Sequence, residues 1–591
     1  MAVGTAYGSM GRVSPTTPDL VHHADSPESP WWRDAVIYQI YPRSWADSDG
    51  DGIGDLPGII DHLPYLRDLG VDAVWLSPFY VSPMHDAGYD VADYRDIDPL
   101  FGRLADADRL IDTAHDLGLK VVVDLVPNHT SSDHPWFQEA LTAPPGSAER
   151  ARYLFRDGRG PHGDLPPNNW RSVFGGTGWS RVPNPDGTPG QWYLHLFDTT
   201  QPDVDWDNPE VRDEYDAILR FWLDRGVDGF RVDVAHGLVK DPALPDTTGS
   251  MHLTENPVGH VMPMWDQDGV HDIYRRWRAV LDTYTIPGDP DSQRILCAEA
   301  WVRPEERLSH YVRPDEMHQA FNFPFLETPW DSAAYRHVIE ASLRSNDAVG
   351  APTTWVLANH DVIRHASRFG LPQDGQRRNG IGAHDPQPDA ALGLRRARAA
   401  TAMMLALPGG AYLYQGEELG LPEHTTLPDE VRQDPTYHRT LGTDEFQRGR
   451  DGCRIPMTWR HDQPSFGFGP GANTWLPQPD TYGDLAVDRQ DGIPGSTLTL
   501  YRDLLHYRRK HRFGHGSLAW DSLTSTTVLA FRNTSGDGTR TALIVTNFGP
   551  DPVALPEGDV LIASGPLTDD GAVPTDTTVW LRLPTTQEET R

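Results

Sequence analysis

The sequence predicts an α/β protein: a (β/α)8 TIM barrel with an inserted loop domain after the third strand and a C-terminal antiparallel β domain. Three observations predict it. Short apolar runs alternate with helical patterns, which implies parallel strands joined by crossing helices. Eight such runs lie between residues 35 and 416, too many and too evenly spread for a small open sheet. Several runs end in polar or acidic residues, as strands do at the active-site end of a barrel.

The elements follow in order. Residues 1–29 are rich in Pro, Ser, Thr and Gly and read as a disordered tail, with order beginning at Trp31-Trp32. The runs AVIYQIY (35–41), VDAVWLSP (71–78), LKVVVDLVP (119–127), VDGFRVDV (227–234), RILCAEAW (294–301), the weaker HQAFNF (318–323), TTWVLANHD (353–361) and AYLYQG (411–416) read as buried strands. Between them, patterns such as LPGIIDHLPYLRDLG read as helices closed by a glycine cap. The barrel is assigned to 30–133 and 196–514. The Gly-, Pro- and Trp-rich stretch 134–195 interrupts it as an inserted domain, and 417–495 is a second irregular stretch. From 515 to 591 short β runs with turn residues predict a β-sandwich. The Gly-rich nucleotide fingerprint is absent after the first strand.

Composition narrows the partners. A formal net charge of −34 repels a phosphate backbone and anionic membrane, so neither nucleic acid nor membrane is expected as a partner. Cys297 and Cys453 alone cannot form a disulfide framework. No secretory h-region and no long apolar run is present, so a cytoplasmic protein is expected. Monomer and homo-oligomer both stay open.

Asp47, Asp49, Asp51 and Asp55 alternate with glycines after the first strand. Hard cations want several oxygens, and glycine permits the turn that converges them. Gly58 stands where an EF-hand would place its glutamate. The expectation is a single-loop structural Ca2+ site made by these four carboxylates and the Ile53 carbonyl, with Mg2+ able to substitute.

Glycoside hydrolysis needs two carboxyl groups flanking the scissile bond. Asp233 and Glu299 stand at the ends of neighbouring strands, with Asp361 on a later one. Arg231 lies two residues before Asp233 on the same strand, so it points to the same side, where its charge would keep Asp233 ionised.

These residues also carry a family resemblance. DLVPNH (124–129), GFRVDVAH (229–236), EAW (299–301) and LANHD (357–361) resemble the four short motifs of the α-amylase family, glycoside hydrolase family 13. QPDVDW (201–206), GVDAVWLSP (70–78) and GAYLYQGEELG (410–420) resemble its auxiliary motifs. The resemblance implies that Asp233 is the nucleophile, Glu299 the general acid/base and Asp361 the carboxylate that holds the distorted sugar ring. It implies that His129, His360 and Arg231 bind or orient at the first sugar, that Asp86 and Tyr89 grip the non-reducing end, and that Arg450 and Phe174 line the same subsite. The metal loop resembles the calcium loop of the oligo-1,6-glucosidase-like branch. Asp86 and Arg450 together imply exo-action. QPDVD departs from the QPDLN form of that branch at Val204 and Asp205. Val234 resembles the choice of α-1,6-specific enzymes, whereas Ala235-His236-Gly237 resemble a branch acting on short α-1,4 substrates, and the longer match is preferred.

The expected function is therefore a retaining exo-α-glucosidase on maltose and short maltooligosaccharides. An oligo-1,6-glucosidase, or a transglucosylase or trehalose-forming isomerase on the same site, is the alternative. A non-catalytic interaction protein is disfavoured because all three carboxylates are present.

Overall fold

The computed structural model describes residues 19–26, 28–184, 186–248, 262–373 and 378–584. Eight strands form the barrel: β1 (Val36–Ile40), β2 (Ala73–Leu76), β3 (Lys120–Leu125), β4 (Gly229–Val232), β5 (Ile295–Ala298), β6 (Gln319–Ala320), β7 (Thr354–Val356) and β8 (Gly410–Tyr414). Their period-two alternation decides what faces the axis. Ile37, Trp75, Val122, Ile295, Val356 and Tyr412 pack into one inner cluster. Their neighbours Tyr38, Val74, Val123, Leu296, Trp355 and Leu413 turn outward into the larger core shared with the helices. Every neighbouring pair is parallel, running in order from β1 to β6 on one side and from β1 through β8 to β7 on the other. A parallel bridge between Phe321 and Thr354 joins β6 to β7 and closes the ring. All eight expected strands are present, the weak sixth included.

Helices wrap the barrel between the strands. Leu56–Leu69 starts on Asp55, whose side chain accepts the Gly58 amide, and stops at Gly70 with φ 98, as the glycine pattern predicts. Register matters most at β4, where Arg231 lies level with Asp124 on β3 and Cys297 on β5.

After β3 the insertion forms the helix Pro135–Thr142 and a three-stranded sheet of Phe155–Arg156, Trp179–Pro183 and Pro189–Leu194. Its core is not separate. Trp170, Phe174, Trp179 and Phe197 pack with Val234 and Trp265 of the loop after β4, so the insertion is held against the catalytic end of the barrel.

Two expectations change. The tail was placed over 1–29, yet Asp19–His22 is a strand, paired antiparallel with Ser517–Trp520. Val21 is buried there, and His22 Nδ1 lies 2.8 Å from Asp347 Oδ1 on a barrel helix. One buried valine and a free sheet edge are enough to order a segment whose composition looks loop-like. Residues 1–18 lie outside the described residues. The C-terminal sandwich is instead one six-stranded antiparallel sheet including Asp19–His22. One face packs on the barrel helix Ala390–Met404, where Trp580 Nε1 donates to Ala402 O at 2.8 Å and Thr578 Oγ1 to Ala399 O at 2.8 Å. The other face is covered by loop residues such as Val553, Leu555 and Leu567 rather than by a second sheet.

Asp576 rivets this sheet to the barrel. It accepts from Trp330 Nε1 at 2.6 Å, Arg396 Nε at 3.0 Å and Arg395 Nη2 at 3.2 Å. Asp576→Ala leaves a buried indole N–H unpaired beside two partly exposed arginines. It should cost about 1–3 kcal/mol, read as a lower guanidinium unfolding midpoint, and an unchanged midpoint would remove this role.

Candidate active site

Strand parity turns Arg231 inward, between aromatic and acidic partners. Its Nη1 donates to Asp124 Oδ1 at 2.8 Å and Asp233 Oδ1 at 2.6 Å, and Nη2 lies 3.1 Å from Glu299 Oε2. The guanidinium carbon sits 5.1 Å from the Trp75 ring and 5.7 Å from the Tyr89 ring. Glu299 is held further by the Val234 amide, 2.8 Å from Oε2, and by Trp301 Nε1, 3.1 Å from Oε1.

These groups line a cavity of about 500 Å3. Asp86, Tyr89, His129, Phe174, Asp233, Glu299, His360, Asp361 and Arg450 all border it. Arg231 lies beneath, nearly fully buried. Arg450 closes one end. It donates to Asp86 Oδ1 at 2.7 Å, to Asp361 Oδ1 at 3.0 Å and to Asp434 Oδ2 at 2.8 Å, with the Phe174 ring 5.1 Å from its guanidinium carbon. Tyr89 stacks parallel to His360 with centroids 5.2 Å apart and donates its hydroxyl to Asp124 Oδ2 at 3.1 Å. His129 Nε2 is 3.0 Å from Tyr89 O and 3.1 Å from Gln201 Nε2, and Gln201 donates to Asp86 Oδ2 at 3.0 Å.

Several contacts were not singled out from the sequence. Arg454 donates to Asp361 Oδ1 at 3.0 Å, and its signal was its place four residues after Arg450 in GRDGCRIPMTW (449–459). Gln201 was legible as the first residue of QPDVDW. Asp434 has no motif signal and is found only by folding. At the mouth, Asn379 Nδ2 donates to Gln447 Oε1 at 2.7 Å and Arg448 Nε lies 3.3 Å from Asp385, in two loops that carried no recognisable pattern.

The electrostatics correct one expectation. Arg231 makes the contact with Asp233 but does not keep it in the usual carboxylate range. Burial, together with the Glu299, Asp124 and Asp361 charges, pushes Asp233 well above that range. One guanidinium is shared among three carboxyl groups, so the pull on each is diluted. Burial also raises Asp124 to about 6, against Arg231, and Asp86 to about 6, against Arg450. Burial would raise Asp361 too, but His360, Arg450 and Arg454 outweigh it and hold it well below its ordinary value. Burial drives His129 down to about 4 and His360 well below its ordinary value, so both rings are neutral near pH 7.

The metal loop is partly assembled. Asp47, Asp49 and Asp55 bring carboxylate oxygens within 4.8 Å of one another. Asp51 lies apart from this group, its carboxylate accepting the Ile53 amide at 2.7 Å. Converging hard oxygens, two of them on buried residues, fit a divalent cation with a preference for oxygen.

The family profile described as "Alpha amylase, catalytic domain" matches residues 39–515. The chain belongs to the α-amylase family. Within it, the chain falls in the α-glucosidase and oligo-1,6-glucosidase branch. It is 40% identical over 501 residues to a probable alpha-glucosidase of Rhizobium meliloti (strain 1021), covering 82% of this chain and 83% of the relative. It is 32% identical over 585 residues to the oligo-1,6-glucosidase of Parageobacillus thermoglucosidasius, covering 91% and 95%. Among solved structures, the alpha-glucosyl transfer enzyme XgtA superposes with a TM-score of 0.78 at 36% identity, covering 94% of this chain and 100% of that one. The trehalulose synthase MutB of Pseudomonas mesoacidophila MX-45 does so with 0.78 at 29%, with the same coverage. Membership in this branch of the α-amylase family supports glycosidase activity. No described helix is long and apolar enough to cross a membrane.

The Asp86 carboxyl, at about 6, sets a pH dependence. It must be ionised to accept from Arg450 and a sugar hydroxyl together, so KM for a glucoside should rise as pH falls below about 6. The linkage to stability runs the other way. Folding raises this pKa, so its stabilising share is complete below about pH 4 and is lost as pH rises through 6. Asp86→Asn should lower kcat/KM about 10- to 100-fold and flatten the pH dependence of KM; an unaltered KM profile would contradict the assignment.

Proposed function

We propose that the protein is a retaining, exo-acting α-glucosidase that releases α-glucose from the non-reducing end of maltose and short maltooligosaccharides. The observation that carries the reading is Arg450, which ties Asp86, Asp361 and Asp434 into a wall across one end of the cavity. A terminal glucose fits against such a wall, while a chain running through it does not. Asp233 attacks the anomeric carbon as Glu299 passes its proton to the departing oxygen. The β-linked glucosyl-enzyme is then hydrolysed by a water that gives its proton to Glu299, restoring the α configuration. Asp361 and the neutral His129 and His360 bind ring hydroxyls, and Arg231 offsets charge beneath both carboxyl groups.

Linkage rests on the turn after β4. The likeness of Ala235-His236-Gly237 to the α-1,4 branch, and 36% identity to Maltase 1 of Drosophila virilis, support maltose-like substrates. A second reading, cleavage of α-1,6 bonds, is favoured by one fact: of these four residues only Val234 borders the cavity. Transfer to sugar acceptors is a further use of the same intermediate, supported by the likeness to XgtA and MutB. The substrate is a small oligosaccharide, the setting is cytoplasmic, and neither nucleic acid nor membrane takes part. Product analysis on maltose, isomaltose, sucrose and a maltooligosaccharide series tests all of these together. NMR should show α-glucose first, and β-glucose first would refute retention. Asp233→Asn should lose at least ~10³-fold in kcat, and near-normal turnover would overturn the assignment.

Asp47, Asp49 and Asp55 hold a structural Ca2+ in this reading, with Mg2+ as a weaker substitute and Asp51 and the Ile53 carbonyl as the remaining donors. The ion neutralises carboxylates crowded before the helix Leu56–Leu69. Calorimetric titration should show one Ca2+ per chain, and chelation should lower Tm by several degrees; no heat and no shift would remove the site.

A further inference from the structure

The residue after Asp233 is held in an unfavourable conformation. Val234 has φ 45, in the left-handed region that a β-branched side chain avoids. That conformation aims its amide at Glu299 Oε2, 2.8 Å away. The turn closes through the Gly237 amide on Val234 O at 2.8 Å, and the Ala235 amide donates to Glu299 O at 2.8 Å. The turn is also tightly packed. A Cβ on Gly237 would lie 2.7 Å from Val234 Cγ1 and 2.9 Å from the Trp265 ring.

A buried ammonium grips the same turn. Lys240 Nζ donates to Gly237 O at 2.6 Å, to Asn128 Oδ1 at 2.8 Å and to Asp203 Oδ2 at 2.8 Å, and its side chain is 3% exposed. Three acceptors from three loops match the three protons of an ammonium. Asn128 and Asp203 are themselves joined, Asn128 Nδ2 donating to Asp203 Oδ2 at 3.2 Å, so the turn is anchored to a fixed platform beside His129.

We propose that Lys240 is a positioning residue: it clamps the 234–237 turn in its strained form and so keeps the Val234 amide on Glu299. The inference rests on the glucosidase reading of Asp233 and Glu299. Its consequence is directional. Oε2 receives both the Val234 amide and Arg231 Nη2, at 2.8 and 3.1 Å, while Oε1 takes only the Trp301 indole N–H at 3.1 Å, so Oε1 keeps a free lone pair for the proton given to the leaving group. Loosening the turn lets the carboxyl rotate and misdirects that proton.

The test compares leaving groups. Lys240→Met is assayed on maltose, whose departing alcohol needs the proton, and on 4-nitrophenyl α-glucoside, whose phenolate departs with little help. kcat/KM reports glucosylation in both. It should fall about 30- to 100-fold on maltose, within the range of general-acid contributions, and less than about threefold on the aryl glucoside. Adding Val234→Gly, which adopts positive φ without strain, should recover about tenfold on maltose relative to Lys240→Met alone. An equal loss on both substrates, or no recovery with glycine, overturns the proposal. If Lys240→Met does not fold, Lys240→Gln, which keeps a donor, is read by the same criteria. Wild-type protein inactive on both glucosides would instead overturn the glucosidase reading itself.

Discussion

The structure turns on the Arg231 guanidinium. It is buried where three adjacent strands come level, and it touches a carboxyl group from each: Asp124 at an inward position of β3, Asp233 just past β4 and Glu299 just past β5. An arginine so buried is tolerable only if paired on several sides, and removing one partner of such a cluster typically costs about 3–5 kcal/mol. The barrel supplies the pairing by geometry. Parallel register sets Arg231 beside Asp124, period two turns both to the axis, and Trp75 and Tyr89 cover the guanidinium. The rest of the site is built outward from this charge.

A second guanidinium works differently. Arg450 lies on no strand, and its partners Asp86, Asp361 and Asp434 come from three separate loops. Here ion pairs, not a ladder of backbone bonds, hold the loops in register with the barrel. The insertion adds Phe174 to the same wall because its core is continuous with the loop after β4. The cavity is therefore closed by long-range contacts between irregular segments.

That division explains what could be read from the sequence. The eight strands were legible because most are short apolar runs buried on both faces, and Asp233, Glu299 and Asp361 because they end such runs in recognisable motifs. Asp434, Asn379 and Gln447 were not, since they sit in irregular loops where no periodicity marks which side chain turns inward. Asp19–His22 was misread because its order comes from a sheet edge some 500 residues away in sequence, at Ser517–Trp520. The single C-terminal sheet was misread because strand patterns count strands but not layers. At Asp233 the failure was electrostatic: the sequence shows one neighbouring arginine, but not the two other carboxyl groups that share it.

That sharing also decides how the site divides its protons. Asp86, Asp124, Asp233, Glu299, Asp361 and Asp434 crowd around Arg231, Arg450 and Arg454, so full ionisation would leave an excess of buried negative charge. Burial makes that excess costly, and some carboxyl groups must stay protonated. The guanidiniums are not evenly spread. Asp361 is touched by both Arg450 and Arg454, and Asp434 by Arg450 through more than one bond, and both are held well below the usual range. Asp124, Asp233 and Glu299 divide a single arginine, and Asp124 and Asp233 rise. The imbalance keeps Asp361 and Asp434 ionised at the closed end while Asp124 and Asp233 share one cation, and it follows from where three arginines are placed rather than from the overall acidity of the chain.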